Sequence, residues 1–211
     1  MGDGGRPRSS RPARIGGEGD PEVFCADEQN AVPVDIERWQ RLASDVLVAE
    51  GVRGLAELAL IFVGSVEIAE LNETYMGKQG PTDVLSFPID AAEAEIVLHG
   101  DPPSRGPDRS PPDPSDMPLL LGDVVVCPAV AVAQAPTHAG TVDDELALLV
   151  VHGVLHVLGH DHDTPEAATA MRGRERTLLE AHHWHGPAPV GFRHDHADDG
   201  DLDTTTKGTQ G

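Results

Sequence analysis

The stretch DDELALLVVHGVLHVLGHDH, residues 143–162, predicts a long helix over 143–158 that carries a metal site and ends in a turn. Three acidic residues open it, where the positive end of the helix dipole favours them. His152 and His156 are spaced i, i+4, so a helix stacks their imidazoles on one face, one turn apart. Gly159 supplies the left-handed residue that ends a helix, and the chain turns through His160 and Asp161 to bring His162 back towards the same point. Three neutral imidazoles suit one Zn²⁺ per chain, at nitrogen distances of about 2.0–2.1 Å. The fourth position then stays open for water or substrate, the mark of a catalytic rather than a structural zinc. His160 is the weaker candidate for a fourth ligand. A bare His pair at this spacing is commonly accidental, and the third His beyond a helix-ending Gly is what argues for metal.

Around this segment, composition sets limits. The chain has 211 residues and a formal charge of −21, from 15 Lys and Arg against 36 Asp and Glu. That length suits one compact domain with tails. The charge argues against a broad basic face for nucleic acid, though not against a local groove. Aromatics are 3% of the chain, so Leu, Val, Ile and Ala must build the core. Cys25 and Cys127 belong to no CxxC pair; two lone thiols fit a reducing cytoplasm. The N-terminus has no apolar h-region and nothing approaches a membrane span, so a soluble cytoplasmic protein is expected.

Outward from the metal segment, periodicity alternates between strand and helix. Val23–Asp27, Leu55–Val63, Val84–Ile89 and Leu120–Val126 read as strands. Val34–Ala49 has a helical stripe of Ile36, Trp39, Leu42, Ala43, Val46 and Leu47. Ser65 is a plausible N-cap for a helix running to Tyr75. Cys127–Ala135 reads as a short helix, and Pro165–His183 as a last one with Pro165 in its first turn. The expected fold is α+β: a mixed sheet of about four strands with helices packed on it. Residues 1–20 read as a disordered arm, 21–185 as the domain, and 186–211 as a disordered acidic tail. Residues 99–118, crowded with prolines, read as an inserted surface loop.

HGVLHVLGHDH also looks like the zincin motif HExxH, but Gly153 stands where the general-base Glu is needed. A peptidase is disfavoured. The absent side chain at 153 is expected to let a backbone or substrate approach the metal. His138, His182, His183, His185, His194 and His196 are expected at the surface.

The eleven residues closely resemble the signature H-G-x-L-H-x-x-G-x-D-H of the YbeY family of bacterial ribosomal-RNA-maturation endoribonucleases. A second block agrees: Leu71-Asn72, Tyr75, Gly77-Lys78 and Pro81-Thr82-Asp83-Val84-Leu85-Ser86-Phe87-Pro88. Leu121-Gly122-Asp123-Val124 is a third. The resemblance spans roughly residues 60–163. It implies zinc, cleavage of single-stranded RNA, maturation of the 3′ end of 16S ribosomal RNA, and 70S ribosome quality control. The implied partners are ribosomal RNA and the small ribosomal subunit; the acidic charge adds the expectation of a ribosome-associated protein that supplies the missing affinity, and no membrane or DNA partner is expected. One departure stands out. Many members carry Arg directly after the Tyr of the second block; here that residue is Met76, and Lys78 is the nearest cation.

Lys78 is the candidate to add positive charge at the transferring phosphoryl group; its plain alternative is a solvated turn residue. Asp161 is the candidate to orient a metal-bound His or to act as acid or base; its alternative is a turn-former. Asp83 and Ser86 are candidate lining residues, or a strand-edge acid and a small packing residue. Two other functions stay in view: a ribosome-assembly factor with a structural metal, and a zinc hydrolase of non-RNA substrates.

Overall fold

The computed structural model describes residues 19–89 and 118–194. Of the arm at 1–20, the insert at 99–118 and the tail at 186–211, only residues 19–20, 118 and 186–194 are among them.

Strand β1 (Glu22–Asp27) leads to helix α1 (Ile36–Ala49) and strand β2 (Ala56–Phe62). Helix α2 (Ser65–Leu71) continues into a π-helical turn, Asn72–Met76. Strands β3 (Val84–Pro88) and β4 (Leu119–Val126) follow, then helices α3 (Pro128–Gln134), α4 (Val142–Val157) and α5 (Pro165–His182). The four strands form one sheet in the order β1-β2-β4-β3. β1 and β4 run parallel to β2, and β3 is antiparallel to β4. The sheet is mixed and the fold α+β, as the alternating periodicities imply.

Each strand alternates its faces. Val23, Cys25, Leu58, Leu60, Phe62, Val124 and Val126 turn one way, into a core shared with α1, α4 and α5. Val63, Leu85, Val125 and Cys127 turn the other way, into a smaller cluster with Ile68 of α2. Helix α1 buries the stripe read from its sequence, Trp39, Leu42, Ala43, Val46 and Leu47. Its N-cap is Asp35, whose carboxylate accepts from Arg38 N at 3.2 Å, so the helix starts two residues later than its apolar periodicity suggests. Ser65 is likewise the first residue of α2 and not its cap, which is Gly64.

Helix α4 is apolar around almost its whole circumference, as a helix surrounded by protein must be. Only Val142, Asp143 and His156 among its 16 residues escape full burial. Its N-cap Thr141 accepts from Asp144 N at 3.1 Å. Asp144 in turn accepts from Thr141 Oγ1 at 2.6 Å, His183 Nε2 at 2.9 Å and Trp184 Nε1 at 2.6 Å. The start of α4 is thus tied to the end of α5, and His183 lies inside this lock, not on the surface: only 6% of its side chain is exposed.

Both cysteines are unpaired and buried. Burial, and then the charge of Asp27, push the Cys25 thiol up to about 12, so it is no nucleophile. No helix among the described residues is long and apolar enough to cross a membrane.

Candidate metal centre

The last turn of α4 builds the site. Gly159 takes φ +87°, and two hydrogen bonds close the helix around it: Gly159 N to His156 O at 2.9 Å and His160 N to Leu155 O at 3.0 Å. This paired pattern reverses the chain directly after the helix. His162 is thereby returned to the two histidines of α4. One nitrogen each from His152, His156 and His162 lies within 4.8 Å of the others. His152 Nε2 and His156 Nε2 are 3.1 Å apart. The three ligands read from the sequence converge.

The protonation chemistry fits a cation. Burial, reinforced by the neighbouring His152 and His162, pushes the His156 imidazole down to about 4. It is therefore neutral, with a free lone pair, near pH 7, as a metal ligand must be. On the far side of His152, Nδ1 lies 2.7 Å from Glu175 Oε1. This carboxylate is only 1% exposed. It holds Nδ1 as the donor and leaves Nε2 to face the cluster, the usual support of a metal-bound imidazole.

Glu175 is the residue that the sequence expectations missed. Asp161 was the candidate to orient a metal-bound His or to act as acid or base, and its carboxylate accepts from the His162 backbone N–H at 2.7 Å. The signal for Glu175 was present: Ala168, Met171, Glu175, Leu178 and Leu179 of α5 are all buried, an apolar stripe at 3/4 spacing with one acid in it. A Glu on such a stripe needs a polar partner. His160 is not part of the cluster; its Nε2 lies 3.3 Å from Glu50 Oε2, and Glu50 also pairs with Arg174.

Gly153 has a different reason from the expected one. A Cβ there would drive into Val124 Cγ1 of β4 and come within 3.3 Å of Ser86 Oγ. The glycine seats α4 on the sheet. Ser86 Oγ donates to Gly153 O at 3.1 Å across the same contact.

The three histidines line a cleft of about 680 Å³. Lys78, Asp83, Ser86 and Asp161 line it too, so every candidate named from the sequence reaches one cavity. Lys78 follows the π-helical turn. Asn72 Nδ2, inside that turn, donates to Gly80 O at 2.9 Å, which folds the Lys78 loop against the cleft. Asp83 is buried and accepts from Val84 N at 2.8 Å and Thr82 Oγ1 at 3.1 Å. From α5, Arg172 adds a second cation to the wall.

A cleft floored by three convergent imidazoles, one of them backed by a buried carboxylate, defines a site able to hold one metal ion. The model of the family described as endoribonuclease YbeY matches residues 24–183. The chain belongs to that family. An endoribonuclease YbeY of Salinispora tropica is 41% identical over 157 residues, covering 74% of this chain and 93% of that one. Its counterpart in Acidothermus cellulolyticus is 44% identical over 157 residues, covering 72% and 87%. A protein of Thermotoga maritima solved in solution aligns with a TM-score of 0.45 and 23% identity, over 77% of this chain and 91% of that one.

Proposed function

We propose that this protein is a zinc-dependent endoribonuclease of the cytoplasm that cuts single-stranded RNA in late maturation of the 16S 3′ end and in 70S quality control. The observation that carries the reading is the convergence of His152, His156 and His162 in a cleft that also presents Lys78 and Arg172. Family membership supports RNA as the substrate.

His152, His156 and His162 would hold the ion, which when bound supplies Lewis-acid chemistry towards a phosphodiester. Lys78 and Arg172 would bind phosphate oxygens from two walls of the cleft, in place of the cation absent at Met76. Asp161 is held below the ordinary carboxylate value, first by the His162 backbone N–H. It is therefore ionised near pH 7 and a weaker base than an ordinary carboxylate, better suited to accept a hydrogen bond than a proton. Glu175 keeps His152 aimed. With a formal charge of −21, intrinsic affinity for RNA is low, and a ribosome-associated protein is the source of recruitment to the small subunit.

The test is cleavage of a single-stranded RNA by wild type, by His156→Ala and by wild type with chelator. Both treatments should abolish it, and cleavage surviving both would sink the proposal. A folded, metal-free variant that still supports ribosome maturation would instead indicate an assembly factor with a structural metal. Turnover of non-RNA esters, indifferent to competing RNA, would indicate a zinc hydrolase of other substrates.

A further inference from the structure

The family match ends at residue 183, but the chain does not leave the metal centre there. Trp184 donates Nε1–H to Asp144 at 2.6 Å, which anchors the start of the following segment on α4. Phe192 packs edge-on against Trp184, with ring centroids 4.8 Å apart, and His194 packs edge-on against Phe192 at 5.0 Å. Arg193 N donates to His138 O at 3.1 Å. This strap carries His194 Nε2 to within 3.0 Å of Glu175 Oε2, the oxygen not facing His152. The side chain of His194 is 16% exposed, far from the surface placement expected for a tail residue.

We propose that the segment 184–194 is part of the metal centre, and that His194 is a positioning residue acting through Glu175 on the ligand His152. The inference rests on the reading of the three histidines as metal ligands. The terminal torsion of a Glu side chain is broad and weakly defined. A carboxylate touched on one oxygen alone swings about that torsion and takes the imidazole with it. A polar neighbour at each oxygen sets the carboxylate plane, and the plane sets the direction in which His152 Nε2 points. In a buried site, both oxygens also need polar company. The C-terminal segment brings His194 Nε2 alongside Oε2 as a close polar neighbour at 3.0 Å, short of an aligned hydrogen bond, from outside the family-matched region.

The experiment uses the full-length chain and two readouts that need no RNA. Zn²⁺ affinity is measured by competition with a chromophoric chelator, and Co²⁺ is loaded as a spectroscopic probe of ligand geometry. His194→Ala should weaken Zn²⁺ binding by about 10-fold, the low end for a lost supporting contact, and shift the visible Co²⁺ bands. His194→Gln, which keeps a polar donor at the site, should recover most of both. Wild-type affinity and an unaltered Co²⁺ spectrum in His194→Ala would overturn the proposal. So would a Gln variant no better than Ala with the metal-free melting temperature lowered equally in both, because that marks a purely structural role. His156→Ala is the control: if it binds Zn²⁺ as tightly as wild type, the metal-centre reading itself fails, and this inference fails with it.

Discussion

At the scale of the residue, two positions show how narrow the tolerances are. Gly153 faces β4, and an added methyl would collide with Val124 Cγ1. Gly153→Ala should therefore destabilise the protein by about 1–3 kcal/mol through overpacking, although alanine is the better helix former by about 1 kcal/mol. A urea melt with an unchanged or raised midpoint would show that α4 has slack against the sheet. His156 gives a pH dependence. Its folded value is pushed to about 4, below the ordinary value of about 6.5. Between these limits the unfolded chain binds the proton and the folded one resists it. Stability of the metal-stripped protein should be intact above about pH 6.5 and fall as the pH drops towards about 4. His156→Gln should flatten that acid limb; an equal slope in both proteins would assign the loss to other groups.

At the scale of the element, α4 does two jobs through its two ends. Its C-terminal end delivers two of the three convergent histidines; its first turn is the attachment point for α5. Burial tends to raise the Asp144 carboxyl, but hydrogen bonds from Thr141, Trp184 and His183 outweigh it and hold the group below the ordinary carboxylate value. The anion is therefore the form the fold selects. Asp144→Ala removes the acceptor shared by His183 and Trp184, leaving both donors partly buried without it. The expected loss is about 2–3 kcal/mol in chemical denaturation. A loss under about 0.5 kcal/mol would mean that apolar packing alone holds the two helices together. Because the strap beginning at Trp184 shares this anchor, the same variant should also weaken metal binding.

At the scale of the whole molecule, charge decides how RNA is approached. The cleft presents Lys78 and Arg172 on a protein whose formal charge is −21. Two phosphate contacts on a single strand predict a slope of about −1.4 in log K against log salt. Affinity for free RNA should thus be weak and only mildly salt-dependent, as measured by anisotropy titrations at several salt concentrations. A slope steeper than about −4 would require a basic surface beyond this cleft.

Much was legible beforehand because it depends on neighbours in sequence. The period of 3.6 in α1, the long apolar run of α4, the apolar strands and the helix-ending Gly159 are local. So is the i, i+4 placement of His152 and His156, which any helix would produce. The starts of α1 and α2 were less legible, since a cap depends on backbone angles that composition only hints at. What lay beyond sequence were the contacts between elements. The pairing of Glu175 with His152 spans 23 residues, and the approach of His194 to Glu175 depends on how a strap folds back over α5. The role of Gly153 exists only because β4 lies against it. By itself the sequence determined which atoms can bind a metal, because one helical turn and one glycine bring them together. Only the tertiary structure decided what aims those atoms, because a buried carboxylate finds its partner through packing.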